Sequence, residues 1–252
     1  KLDEEDSSVR LRLNSTVVRL EHDGSLNDAE HVSATYVNEG RAYRVRGKHC
    51  VMAGYNAMIP HMCPELPAEQ SEALAFAIKA PIVYTSVLLR NWRAWKKLGI
   101  GFFASPGAYY SVAMLDFPVS MGGYEYTKTP DNPCVIQMIS CPYGETVGAP
   151  RLEQYREARY RMLGLQFKDY EEEIRSHLSG MLPKKLFDFD RDVESITVNR
   201  WGHGYTVRGP EGSVKKGRQP FGRITIANCD SAPGADAKTA IDMASRAVNE
   251  LG

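Results

Sequence analysis

Through the first fifty positions apolar and polar residues alternate in short runs. Val9, Leu11 and Leu13 interleave with Arg10 and Arg12, Asn14-Ser15 interrupts the run, and Val17, Val18 and Leu20 resume it. His22-Asp23-Gly24 reads as a turn, Val32 to Val37 as a strand, Asn38-Glu39-Gly40 as a second turn and Tyr43 to Arg46 as a third strand. Lys48 to Gly54 (KHCVMAG) follows as a buried strand ending in Ala-Gly. The proline-rich stretch 60–67 (PHMCPELP) marks a crossing into a second region. There Glu69 to Lys79 has helical spacing through Leu74, Ala77 and Ile78. Pro81 to Trp92 is almost continuously apolar, the pattern of a strand covered on both faces, and Trp92 to Trp95 closes it.

Gly99 to Gly123 is dense in Phe, Tyr and Gly and reads as strands and turns, and Cys134 to Cys141 as another strand. Within Arg151 to Leu182 the residues Phe167, Tyr170, Ile174, Leu178 and Met181 step by three and four, which predicts one long helix or two lying across the sheet. Asp192 to Asn199 returns as a strand and delivers Arg200-Trp201-Gly202-His203-Gly204-Tyr205. Lys215 to Arg218 is a short basic loop. Arg223 to Ala227 alternates, meets the small residues Asn228 to Ala235, and gives way at Ala237 to a helix. Its apolar face is Ala240, Ile241, Ala244, Ala247, Val248 and Leu251, with Asp236 as N-cap.

Composition narrows the function only by exclusion. The 252 residues are 43% hydrophobic and 25% charged, the balance of an ordinary globular chain with one large domain or two small ones. With 31 basic and 31 acidic residues there is no electrostatic case for nucleic acid or an anionic membrane. No apolar run approaches the ~18 residues of a transmembrane helix. The chain starts at Lys1 within a charged segment, so a leader preceding it is compatible with the sequence, and bacterial periplasm and cytoplasm both stay open. Five cysteines without a CxxC pair give no disulfide framework, and His49, Cys50, His61 and Cys63 match no zinc-finger spacing, so no metal is expected. Gly99-Ile100-Gly101 is not a nucleotide fingerprint, because Phe102-Phe103 follow and no third glycine stands at the right distance.

The chemistry concentrates at the end of the chain. A buried strand delivers Asp230 into a turn, and a helix then aims its N-terminus at the same place, an arrangement suited to a hydrogen-bonding or anionic cofactor edge. From periodicity alone the commoner meaning is an ordinary strand–turn–helix closing a domain. The residues GRITIAN-CD-(small residues)-AIDMASRAVNEL, however, resemble the C-terminal flavin-binding segment of the flavin-containing amine oxidases, most closely their spermidine dehydrogenase-like branch. The resemblance is strongest over Val9 to Gly54 and Trp201 to Leu251.

That resemblance implies an α/β (mixed α+β) fold, the C-terminal part of an FAD-binding amine oxidase fold with a mixed-sheet substrate domain. The implied segments are 1–58 and 200–252 for FAD and 59–199 for substrate. It implies that Asp230 contacts the ribityl chain, Ala237 and Lys238 offer N–H groups to the pyrimidine edge, Val17 lies against adenine, and Ala53 and Gly54 let backbone approach the cofactor. Tyr205, flanked by Trp201, becomes one wall of an aromatic cage, with His203 a neighbour and Asp116 or Glu125 an acidic anchor for substrate. The implied reaction is hydride transfer from the α-carbon of a neutral amine, suggested by the family to be a polyamine, to flavin N5, followed by hydrolysis of the imine.

Three departures qualify it. No GxGxxG occurs in the chain, so the pyrophosphate-binding turn is expected on a second polypeptide, whether a separate subunit or a cleaved piece. The cysteine that binds flavin covalently in some members is replaced by Gly204, so FAD is expected to be non-covalent. The lysine that holds a water near N5 falls by register near Thr85, which favours a dehydrogenase over an oxidase. The competing expectation is a non-catalytic structural subunit or fragment supporting a flavoprotein complex.

Overall fold

A computed structural model describes residues 3–4, 6–207, 209–232 and 234–251. Pro233, part of the expected small-residue turn, and Gly252, at the end of the expected C-terminal segment, lie outside the described residues, as do Lys1, Leu2, Glu5 and Arg208. The chain forms two compact units, Lys1–Ile78 with Thr206–Gly252, and Lys79–Tyr205. These divisions fall later in the chain than the composition breaks at 58/59 and 199/200, because the proline-rich crossing folds back onto the first unit.

The first unit begins with an antiparallel meander of β1 (Thr16–His22), β2 (Val32–Asn38) and β3 (Arg41–Gly47). The β2–β3 turn puts Glu39 and Gly40 at φ 47° and 75°, two left-handed residues in succession, which suits a two-residue hairpin. The expected strand at residues 9–13 does not form: Val9, Leu11 and Leu13 are exposed, Asn14 turns the chain at φ 53°, and pairing starts at Thr16. β4 (Cys50–Met52) follows, then a 3-10 turn at Asn56–Met58, the short helix α1 (Ile59–Met62) and α2 (Ala68–Ala75). Ile59, Cys63 and Leu74 from this stretch are buried with Leu20, Val32 and Met52.

The second unit is a five-stranded sheet under helices. Its elements are β5 (Lys79–Leu89), α3 (Arg93–Leu98), β6 (Phe102–Ala104), β7 (Val112–Leu115), β8 (Cys134–Ser140), α4 (Arg151–Gly164), α5 (Phe167–Met181), α6 (Phe189–Asp192) and β9 (Val193–Thr206), whose last residue belongs to the first unit. The strand order is β6-β7-β8-β5-β9. Val83, Val87 and Leu89 of β5 face Ile136 and Met138 of β8, and Tyr170, Ile174 and Leu178 of α5 pack over them. The helical stretch is two helices because Gln166 restarts it with a reciprocal capping box: its N–H donates to the Asp169 carboxylate at 2.7 Å. Trp92 to Trp95 does not simply end a strand. It opens α3, capped by Gly99 at φ 68°, and Trp95 is fully buried. Gly99 and Gly101 thus sit between a helix and a strand, the reverse of a phosphate-binding turn.

The chain then returns to the first unit with α7 (Ser213–Gly217), β10 (Ile224–Ile226) and α8 (Ala237–Asn249). The expected basic loop is therefore helical at Ser213–Gly217. β10 pairs in parallel with β4, Ile224 opposite Cys50 and Ile226 opposite Met52. The apolar face expected of α8 is mostly uncovered: Ala247 is buried, but Ile241 and Val248 are exposed. The helix is tied down through Arg246, whose guanidinium donates to the carbonyls of Arg218 and Ile226. Among the described residues no helix is long and apolar enough to cross a membrane.

Asp192 joins the end of β5 to the start of β9. Its carbonyl accepts the Arg90 N–H at 2.8 Å, and its buried carboxylate accepts from the Asp188 N–H at 2.9 Å, the Asn91 side chain at 3.0 Å and Arg191. Burial pushes this carboxyl's pKa up, but the Arg191, Asp188 and Asn91 donors outweigh it and hold it below the ordinary value. A depressed folded-state pKa contributes stability above the unfolded value of ~3.9, lost as pH falls through the folded value. Asp192→Asn should cost ~1–3 kcal/mol at neutral pH by turning an amide N–H toward these donors. Urea midpoints from pH 7 to 3 should fall less steeply in the variant than in the parent; parallel curves would refute the role.

Candidate functional site

In the first unit, the parallel strands β4 and β10 run out at the same end, and the residues that follow them meet. The Asn228 carboxamide donates to the Gly54 carbonyl and, at 3.0 Å, to the Asn56 side-chain oxygen. Its own oxygen accepts the Asp230 N–H at 2.7 Å. Asn228 makes this bridge at φ 133°. Asp230, only 4% exposed, accepts the Asn56 N–H at 3.1 Å on one carboxylate oxygen and the Thr206 hydroxyl on the other. Asn56, also buried, reaches the Ser231 hydroxyl at 3.4 Å. Three distant stretches of sequence are thereby held at the carboxyl ends of two parallel strands, the place where open α/β sheets receive ligands. A Cβ added to Gly54 would meet no atom within 4 Å, so the backbone there faces open space.

The expected cofactor residues fall on this arrangement unevenly. Gly54 and Asp230 are brought together, and Ala53 lies exposed beside Gly54. Ala237 and Lys238 are exposed at the start of α8. The donors of that first turn are partly engaged, since the Asp236 carboxylate accepts the Thr239 N–H at 2.8 Å. The Thr239 and Lys238 N–H groups and the Thr239 hydroxyl lower the Asp236 pKa. Val17 lies on the separate three-stranded sheet, half-exposed, next to a register break between Val17 and Arg19. Asn56, Asn228 and Thr206 were not singled out from the sequence. The Asn-x-Asp spacing before the small residues was the one available signal.

In the second unit, alternation along β5 decides which side chains can face a ligand. Thr85 is fully buried on the helix-covered side, its hydroxyl 2.9 Å from that of Tyr110. Thr85 was expected beside the reacting atoms; its side chain points into the core of this unit, and a one-residue step along a strand reverses the face. The residues on the open face are Tyr84 and Ser86, neither of them lysine, with Ser86 donating to Gln137 at 2.8 Å. The Tyr84 phenol is pushed up by burial, then by the Asp116 carboxylate and Tyr205 nearby.

Trp201, His203 and Tyr205 lie on one side of β9, exposed, and the aromatic segment is strand rather than loop. The His203 pKa is lowered by burial first, then by Arg159 and Lys79. The glycines between them face the other way. The Gly202 carbonyl accepts Arg159 at 2.8 Å, and a Cβ on Gly204 would lie 2.1 Å from the Ile82 side chain. Of the two acidic candidates, Glu125 is exposed and neutralised by Lys128 at 2.8 Å, whereas Asp116 is half-buried.

No protein-family model matches the chain, and no curated protein matches it in sequence. Solved structures do match. A putrescine oxidase bound to putrescine aligns with a TM-score of 0.65 at 14% identity, covering 94% of this chain and 48% of that one. Cyclohexylamine oxidase from Brevibacterium oxydans aligns at 0.64 and 15% identity, over 93% of this chain and 47% of that one. A putrescine oxidase variant redesigned for cofactor binding aligns at 0.67 and 14%, over 94% and 48%. The mixed α/β fold is thus that of the C-terminal part of amine oxidase structures, and the chain spans about half their length.

The two glycines separate space from packing. Gly204→Cys should lower the unfolding free energy by ~1–3 kcal/mol because the thiol side chain has no room beside Ile82. Gly54→Ala should stay within ~0.5 kcal/mol of the parent. Equal urea midpoints for Gly204→Cys and the parent would contradict the packing.

Proposed function

We propose that the chain is part of an FAD-dependent amine oxidoreductase of the spermidine dehydrogenase-like kind, acting on amines of the polyamine class. The observation that carries this reading is the convergence of Gly54, Asn56 and Asp230 at the carboxyl ends of β4 and β10, with open space beside Gly54. The residues fit the group: backbone at Ala53 and Gly54 admits close approach, and Asp230 is held in place to meet a hydroxylated chain. The Ala237 and Lys238 end of α8 offers N–H groups beside the Asp236 cap, and Val17 offers an apolar surface to adenine. The crowding at Gly204 supports non-covalent binding, since a cysteine has no room there.

A flavin held by these residues would supply a hydride acceptor for the α-carbon of the neutral amine. The chain's own part is placement. Tyr205 and Trp201 present exposed rings that orient the amine and exclude water, and Tyr84, whose phenol stays protonated, adds a hydrogen-bond donor on the same unit. No residue of this chain is required to remove a proton. The absence of lysine at Tyr84, Thr85 and Ser86 supports an acceptor other than oxygen. The 252 residues contain no GxGxxG turn, so the residues named here account for the adenine, ribityl and isoalloxazine sides of the cofactor and not for its pyrophosphate.

Native material should therefore be yellow and bleach on adding an amine. Native material free of flavin would sink the reading. Tyr205→Ala should slow single-turnover reduction by about tenfold, ~1.4 kcal/mol in the barrier, with flavin content unchanged. Unchanged reduction would remove Tyr205 from the site.

Stopped-flow reoxidation of the reduced complex should be slow in air-saturated buffer and fast with an artificial dye. Reoxidation by oxygen as fast as by dye would make it an oxidase.

A further inference from the structure

The meander of the first unit ends in a free edge. In the order β1-β2-β3 the outer strand is β3, and among the described residues no strand pairs with its far side. The two-residue turn at Glu39-Gly40 closes on the pair Asn38 and Arg41, and this fixes the alternation along β3. Arg41, Tyr43, Val45 and Gly47 turn their backbone groups toward β2, whereas Ala42, Arg44 and Arg46 turn theirs outward. Among the described residues these outward N–H and C=O groups have no hydrogen-bond partner. Such a row is a template for one more strand.

Side chains decide which strand fits. One face of β3 carries Arg44 and Arg46. The other carries Val45 and Tyr43, which stacks on Tyr36 with ring centres 5.5 Å apart. Residues 41–48 include Arg41, Arg44, Arg46 and Lys48 and no Asp or Glu. Among the described residues only Glu21 and Asp23 pair with this group, through Arg44 and Arg46, and Glu21 is shared with Arg19. Positive charge therefore remains in excess along the edge, and the Arg44 and Arg46 side chains stay 58% and 60% exposed. A second copy of β3 would set arginine beside arginine on the charged face, which is destabilising. A strand alternating acidic and apolar residues meets Arg44 and Arg46 with one face and Tyr43 and Val45 with the other.

We infer that β3 receives an extended acidic segment of another protein as a fourth strand of this sheet. The edge lies two strands away from Val17, so the inference does not rest on the flavin reading. Amide exchange by NMR and fluorescence anisotropy, on the full chain with a short labelled peptide of alternating glutamate and valine, test it. The peptide should slow exchange of the Ala42, Arg44 and Arg46 amides. It should also bind at least about tenfold more tightly than its lysine–valine counterpart, ~1.4 kcal/mol. Ala42→Pro removes an outward donor without touching the β2 ladder or any charge, so it should weaken binding at an unchanged urea midpoint. A glutamate–valine peptide N-methylated along its backbone keeps the charge and loses the strand's donors. It should bind the parent chain at least about tenfold more weakly, a comparison that needs no variant. Equal binding of the two glutamate peptides would reduce the contact to plain charge attraction and overturn the proposal. Unslowed amides, equal affinity for the lysine peptide, or self-association of the chain through β3 would overturn it as well.

Discussion

A carboxylate taken out of water must be given donors, and Asp230 is the point in the first unit where that requirement organises the chain. Its partners are the Asn56 N–H, following β4, and the Thr206 hydroxyl, at the end of β9. Asn228, two residues before it, closes the same ring by holding the Gly54 carbonyl and the Asp230 N–H. Removing one of these donors would weaken the compensation of a buried charge, which costs more than one ordinary hydrogen bond contributes. The network therefore fixes how the strand ends meet, and with them the open backbone at Gly54.

The second unit depends on a different constraint, the alternation of its sheet. One side of β5 and β8 carries Val83, Thr85, Val87, Ile136 and Met138 into a core closed by α5. The other side carries Tyr84, Ser86 and Gln137, which stay half-buried and hydrogen-bonding. Core and candidate chemistry are thus adjacent residues of the same strand. On β9 the same alternation shows Trp201 and Tyr205 to solvent while Gly202 and Gly204 permit the close packing against Arg159 and Ile82.

Much of this was legible in the sequence. Short alternating runs placed β2 and β3, apolar runs placed β5 and β8, period-3.6 runs placed α5 and α8, and Asp236 capped α8 as its side chain and position imply. Asp230 and Gly54 were each named through family resemblance, but their meeting was not; the fold agrees with that resemblance. Local pattern determines these features because each reflects preferences within a few residues.

What only the tertiary structure decided is which partners cover each face. Val9, Leu11 and Leu13 alternate well enough for a strand, but among the described residues no strand pairs with them, and backbone groups there bond instead to the Ser7, Ser15 and Asn38 side chains. Ile241 and Val248 have the right spacing for a buried face and are nonetheless exposed. A position near Thr85 was named by counting from terminal aromatics, and only the fold shows that the Thr85 side chain is buried. Register and coverage are set by contacts between segments tens to hundreds of residues apart. Periodicity along one segment carries no record of them, so the sequence determined the elements and the fold determined their faces.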